Sequence, residues 1–315
     1  MDIHMTRPWW PILIVLLSML ILWVLAVAPM NFRQALDQAE RQNELVIPEG
    51  FGARQETGLV SLLINNVSHI SKTFHMERPR LPTPAQVSEE IWKTTGAMAI
   101  KGRAWSKRSL IYHAWITLKS TFYGFGLGLT LGLIGAISVV YYRVADLTLM
   151  PWAIISQTIP IVALAPMIIV VSGQMGIENR DIPKAVISAY LCFFPIMVGM
   201  VKGLRSADPI QLDLMKTYNA TGQDIFFKLR LPASMPYLFP SLKVGIAAAL
   251  VGAIVGELPT GAISGLGARI LIGDQFGTPM AIWAALAVAA VLAGILVTLI
   301  GVIQSLTLRR MGMVQ

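Results

Sequence analysis

The sequence predicts an all-α membrane protein with six transmembrane helices, and three observations lead there. Hydrophobic residues make up 55% and charged residues 13% of the 315 positions, outside the balance of a soluble domain. Six segments approach the roughly 20 apolar residues that one helical crossing of a bilayer requires: Trp9–Pro29, Thr117–Val140, Leu147–Val171, Pro183–Val201, Ser241–Glu257 and Met280–Ile303. The charges gather between them. Residues 1–30 therefore read as an N-terminal tip and anchor helix, 31–116 as an external segment with short helices, and 117–310 as a membrane core with a polar loop at 202–240.

The net charge of +8 and the pI of 9.7 would suggest a nucleic-acid partner in a soluble protein. Here the basic residues form no continuous patch, so no nucleic acid is expected. Lys and Arg instead report topology and contact with membrane lipid headgroups.

The first apolar segment ends in "LAVAPM", where Ala26 and Ala28 resemble a cleavage site. Its apolar run exceeds the usual core of about 7–15 residues, and Pro29 follows the would-be cut, so a retained anchor is expected. The external segment is broken by "IPEGFG" and "ERPRLPTP", with an amphipathic candidate at "GLVSLLINNVSHISK" and a short helix expected from "LPTPAQVSEEIW". His69 and His75 stand without cysteines or a carboxylate cluster, so no metal site is expected.

In the second segment Gly124, Gly128 and Gly132 repeat every four residues, a flat stripe on which another helix can approach closely. The third holds Pro151, Pro160 and Pro166 around Gln157. Each proline removes a backbone donor, which suits either a helix lining a cavity or gate, or a bent packing helix. Cys192, the single cysteine, lies in the fourth and leaves no intrachain disulfide to form.

The loop that follows reads as two short amphipathic helices. Asp208–Pro209 is a helix start, with a capping acceptor and a pre-set φ. Ile210, Leu214 and Tyr218 make one apolar edge, and Asn219 is suited to the left-handed conformation that ends a helix. Thr221 with Asp224 is a capping-box variant opening a helix that carries Ile225, Phe226, Phe227 and Leu229 and is expected to stop at Leu231–Pro232. Such an apolar edge needs a partner or a membrane interface to cover it.

The fifth segment is short and ends at Glu257, a carboxylate placed either to line a pathway or to cap a helix. "GLGARI" beyond it lacks the third glycine of a dinucleotide fingerprint. Arg7, Arg143, Lys202, Arg205, Lys228, Arg230, Arg309 and Arg310 all fall on one side of a six-span topology, which puts them and both termini in the cytoplasm. Lys101, Arg103, Lys107 and Arg108 oppose this assignment, lying on the external side close to the second span.

Aligned on Leu231–Pro232, the loop resembles the EAA loop of binding-protein-dependent ABC importer permeases, with their pattern E-A-A, three residues, G, nine residues, I-x-L-P. Asp213-Leu214-Met215 fall on E-A-A, Asn219 on the glycine and Leu229 on the isoleucine. "TLKSTFYGFGLGLTLGLIGA", "IPIVALAPMIIVVSGQ" and "GELPTGAISGLGARIL" look like the nitrate/sulfonate/taurine branch and its thiamine-precursor and riboflavin-type relatives, over about residues 81–310. The resemblance implies a MetI-like fold of five core helices plus an N-terminal helix, in the bacterial inner membrane. It implies that Asp213, Leu214, Met215, Tyr218, Asn219, Thr221, Gly222, Phe226, Phe227 and Pro232 form the element coupled to the ATPase. Gln157, Pro160, Pro166 and Glu257 are the pathway candidates. The implied partners are two ATPase subunits that bind ATP and Mg, a periplasmic solute-binding protein, and a second permease copy or paralogue. No G-x-x-x-x-G-K-[ST] loop occurs, so this chain has no ATP cradle of its own. A pathway without an evident basic cluster favours a neutral or heterocyclic solute over a sulfonate or nitrate.

Overall fold

In a computed structural model, residues 9–259 and 261–313 are described, and all regular structure among them is helical. The helices are α1 (Trp9–Arg41), α2 (Phe51–Glu56), α3 (Leu59–Asn65), α4 (Pro84–Thr94), α5 (Gly96–Ile100), α6 (Leu110–Tyr141), α7 (Arg143–Ser156), α8 (Ile161–Gln174), α9 (Asp181–Leu204), α10 (Pro209–Thr217), α11 (Gly222–Ile225), α12 (Leu231–Glu257), α13 (Leu266–Gln275) and α14 (Pro279–Arg310). Arg7, part of the topology argument, lies outside the described residues. The chain divides into two compact units. One runs up to Gly102 and includes Ile270–Ala285; the other comprises Arg103–Arg269 and the residues from Leu286 onward.

In the first unit α1 continues through Pro29 to Arg41, a dozen residues beyond the apolar run. The extension is amphipathic: Phe32, Leu36 and Ala39 are buried against Val46 and Leu62, with Leu63 and Ile70 alongside. Buried Arg54 is held by Asp37 at 2.7 Å and by Glu40. Asn31 exchanges two hydrogen bonds with the Leu81 backbone, at 2.8 and 3.0 Å, and so ties the returning chain to α1. A complete capping box between Thr83 and Gln86 opens α4.

The second unit is built on α9, which packs against α6 on one side and α12 on the other. Small residues set both interfaces. A Cβ on Gly124, Gly128 or Gly132 would meet α9 backbone oxygens at 2.8 to 2.9 Å, and one on Gly252 of α12 would meet the Cα of Ser188 at 2.7 Å. Between these contacts lies a core that includes Ala136, Val139, Cys192, Ile196, Met200 and Leu204. Ile246 and Leu250 of α12 pack on Leu296 of α14.

Five helices are long and apolar enough to cross a bilayer, and α7 with α8 form a sixth candidate bent by 102°. The third expected span is thus broken rather than kinked. Pro160 has no N–H to give Ser156 and disfavours helical geometry at Ile159 before it, whereas Pro151 and Pro166 are accommodated inside helices. The broken pair carries the chain from one end of α9 to the other. Asp146 of α7 pairs with Arg205 at the end of α9 at 2.8 Å, while the chain after α8 arrives at Asp181, paired with Lys119 near the start of α6 at 3.2 Å.

The expected stop at Leu231–Pro232 is overturned. Helical structure is continuous from Gly222 to Glu257, 36 residues, so the fifth span is longer than its apolar core. A π-helical turn at Phe226–Arg230 opens the hydrogen-bond ladder just ahead of Pro232. Pro232 then occupies the first turn of α12, where its missing donor costs little.

Candidate functional site

Local chemistry shapes the loop after α9. The Asp208 side chain accepts from the Ile210 N–H at 2.8 Å and Pro209 is the first residue of α10. The helix ends as Asn219 adopts φ 54°, and the Ala220 N–H closes on the Met215 carbonyl at 3.0 Å. One residue later the Thr221 hydroxyl accepts from the Asp224 N–H at 3.2 Å, the Asp224 carboxylate answers on the Thr221 backbone, and Gly222 begins α11. Two helices are thereby fixed at a corner whose geometry is set by four consecutive backbone choices.

The corner presents an apolar edge to its surroundings. Ile210 is 77%, Leu214 53% and Tyr218 76% exposed, with Phe227 at 63% and Asp213 also outward. Met215 is half-buried. Phe226 points the other way. It packs on the α6–α9–α12 core, edge-on to Tyr141 at 6.1 Å, while Arg230 stacks over the same tyrosine at 5.7 Å. The two adjacent phenylalanines therefore divide the work: Phe227 faces outward and Phe226 anchors the loop to the membrane helices.

At the break in the α7–α8 pair, the Ser156 carbonyl that Pro160 leaves without its helical donor receives the Tyr190 hydroxyl from α9. Gln157 returns a bond to the Tyr190 carbonyl at 3.5 Å. Pro160 and Pro166 are exposed. Gln157, Pro160 and Pro166 thus share one broken element clasped to α9.

Glu257 does not join them. It is fully buried at the end of α12, where one carboxylate oxygen accepts from Thr117 Oγ1 at 2.8 Å and the other from the Gly267 N–H at 2.7 Å. Thr117 Oγ1 accepts the Leu266 N–H at 2.9 Å, and His113 Nδ1 accepts the Gly265 N–H at 2.9 Å. Of the two roles open to Glu257, the structure displays the cap: with Thr117 and His113 it satisfies the first N–H groups of α13. Gly265, at φ 130°, is the residue that lets the loop pass over the carboxylate. His113 and Thr117 escaped the sequence reading. Their four-residue spacing at the start of a span was the available signal; their partners lie some 140 to 150 residues away.

Comparison with known proteins places this arrangement. Residues 128–313 match the family model described as "Binding-protein-dependent transport system inner membrane component". The chain is 32% identical to the riboflavin transport system permease protein RibX of Chloroflexus aurantiacus, over 73% of this chain and 80% of that one. It is 31% identical to the formylaminopyrimidine transport permease protein ThiX of Halalkalibacterium halodurans, over 67% and 78%. The fold is similar to a crystal structure of an amino acid ABC transporter with histidines, with TM-score 0.50 and 18% identity, covering 64% of this chain and 93% of that one.

Proposed function

This chain belongs to the family of binding-protein-dependent transport system inner membrane components, and from that membership we propose that its α10–α11 corner is the handle through which an ATPase subunit moves it. It is a multi-pass membrane protein and the translocation subunit of an ABC importer, working with ATPase and solute-binding components. Hydrolysis belongs to the ATPase partner.

The observation that carries the docking proposal is the division between the two faces of the corner. An edge of Ile210, Leu214, Tyr218 and Phe227 is exposed on a rigidly capped helix pair, a form suited to a groove on a soluble partner. Asn219, Thr221 and Gly222 fix the angle, Asp213 and Met215 flank the edge, and Phe226 with Pro232 hands motion to the core. In the proposed assembly two ATPase subunits bind ATP and Mg, and the second permease is a copy of this chain or a paralogue. The corner and both termini lie on the cytoplasmic side of a bacterial inner membrane, and a periplasmic binding protein meets the opposite side. The solute passes beside the α7–α8 break, near Gln157 and Pro160, as the pathway alternates.

Paired substitutions separate docking from folding. Phe227→Asp or Leu214→Asp is expected to abolish co-purification with the ATPase subunit while the membrane domain keeps its thermal stability. Phe226→Asp is expected to destabilise the domain itself. Unchanged assembly and ATP-driven uptake in the two outward variants would sink the docking claim.

A further inference from the structure

Building on the permease reading, we propose that the end of the core remote from α10 carries an oxyanion-binding cleft, formed by Lys119, Arg180 and Lys184, that receives the anionic group of the transported solute. The cleft measures about 380 Å³ and lies between the start of α6, the start of α9 and the loop from α12 to α13. Lys119 and Lys184 lie at the edges of segments read from sequence as membrane spans, within their first three residues. The Lys184 side chain is only 4% exposed.

The charges there do not cancel. The Asp181 carboxylate is shared, one oxygen accepting from Lys184 at 3.1 Å and the other from Lys119 at 3.2 Å. Arg180 gives one guanidinium N–H to the Gly261 carbonyl at 3.2 Å, which leaves most of its donor fork available. Glu257 also bears on Lys184, but its oxygens are taken by Thr117 and Gly267. Three cations thus line the cleft against two carboxylates that are already engaged, with Glu178 exposed two residues before Arg180. Arg103, Lys107 and Arg108, all exposed, lead into α6 and add positive potential at the same end.

This excess opposes the positive-inside rule, so topology does not explain it. A ligand does. The carbon portion of an organic anion finds a wall in Tyr112 and Trp115, the latter 53% exposed. A charged floor beside an aromatic wall suits a small sulfonate or carboxylate, bound by charge-assisted hydrogen bonds. The expectation of a neutral solute came from finding no basic cluster, and the fold assembles one by bringing Lys119 to Arg180 and Lys184. Anionic lipid headgroups share the same chemistry and are the rival source.

The experiment titrates methanesulfonate, and its neutral relative dimethyl sulfone, into the permease–ATPase complex in nanodiscs of pure phosphatidylcholine. Binding is read by tryptophan fluorescence against a Trp115→Phe reference. Saturable binding is expected for methanesulfonate alone, weakened by about tenfold or more in the Lys119→Gln/Arg180→Gln double variant, since each lost charged hydrogen bond is worth at least a decade of affinity. Both residues are exposed, so the variant is expected to fold. Equal responses to the two probes, or unchanged affinity in the double variant, would overturn the proposal. A second arm replaces part of the lipid with phosphatidylglycerol: unaffected methanesulfonate binding supports the solute assignment, and abolished binding assigns the cleft to lipid and refutes it. ATPase retention is measured on the same samples, so failure of the permease reading is distinguishable from failure of the cleft.

Discussion

Replacing Thr117 by valine, its near-isostere, removes one hydroxyl and leaves the packing volume unchanged. That hydroxyl donates to Glu257 at 2.8 Å and accepts the Leu266 N–H at 2.9 Å, all within a fully buried site. Thr117→Val therefore strands a buried backbone donor, costing about 1–3 kcal/mol, and loses a further net hydrogen bond worth about 1 kcal/mol. The sum, about 2–4 kcal/mol, corresponds to a thirtyfold to several-hundredfold increase in local opening at about 1.4 kcal/mol per decade.

The choice of assay matters. Hydrogen bonds between membrane helices measured by global unfolding average only about 0.6 kcal/mol, because the unfolded chain in the membrane also finds partners. Hydrogen exchange of the segment from Leu258 to Gln275 reads local opening directly and is the sharper test. Thr117→Val is expected to lose protection at Leu266 and Gly267, while Thr117→Ser, which keeps the hydroxyl, retains it. Equal exchange in valine variant and wild type would refute the bridging role of Thr117.

Three further outcomes are expected. Asn219→Gly should preserve ATP-driven uptake, whereas Asn219→Val should impair it through a steric cost of about 1–2 kcal/mol at φ 54°; equal activities would refute the left-handed corner. Gly252→Leu should depress thermal stability, because its first side-chain carbon already meets Ser188 Cα at 2.7 Å, while Gly173→Leu, with open space around it, serves as the silent control. Hydrogen bonds from Lys72, then His69, hold the Glu44 carboxyl below its ordinary value of 4.5. A depressed carboxylate stabilises the fold above that value and loses the contribution as pH falls through the lowered one. Protease resistance of the segment after α1 should decline on acidification below 4.5, and Glu44→Gln should remove that component.

What the sequence disclosed follows from the range of each interaction. The corner at Asn219 was legible because Asp208–Pro209, Asn219 and Thr221 act on their own backbone within three residues. The spans were legible because apolar length is a local sum. The 102° break was only half legible: three prolines occupy the third span, and nothing local distinguishes Pro160 from Pro151 and Pro166. What singles it out is a distant tyrosine, Tyr190, placed to donate its hydroxyl to the freed Ser156 carbonyl. The helix continuing past Pro232 was missed because a proline reads as a stop unless the turn before it widens, and widening leaves no mark in composition. The Glu257 cap and the basic cleft were hidden for the same reason. Each joins residues that only the packing of α6 against α9 and α12 brings together.

The position of α9 explains why those features belong to one mechanism. Its C-terminus leads, through residues 205–208, into α10, while α11 on the other side of the corner runs without a break into α12, so the corner is joined to both helices. Along its length the helix is gripped on both sides by backbone-close glycine contacts, with Gly124, Gly128 and Gly132 on one flank and Gly245, Gly252 and Gly256 on the other. Contacts that close do not slide gradually, since a packed interface is bistable rather than continuously deformable. On the proposed reading α6, α9 and α12 therefore shift as a block when the corner is pulled. The compliant element is the α7–α8 pair, joined to that block at its break through Tyr190 and already missing a helical hydrogen bond. On the same reading, motion applied at α10 is converted into a change at Gln157–Pro160, the place where α7–α8 is hydrogen-bonded to α9.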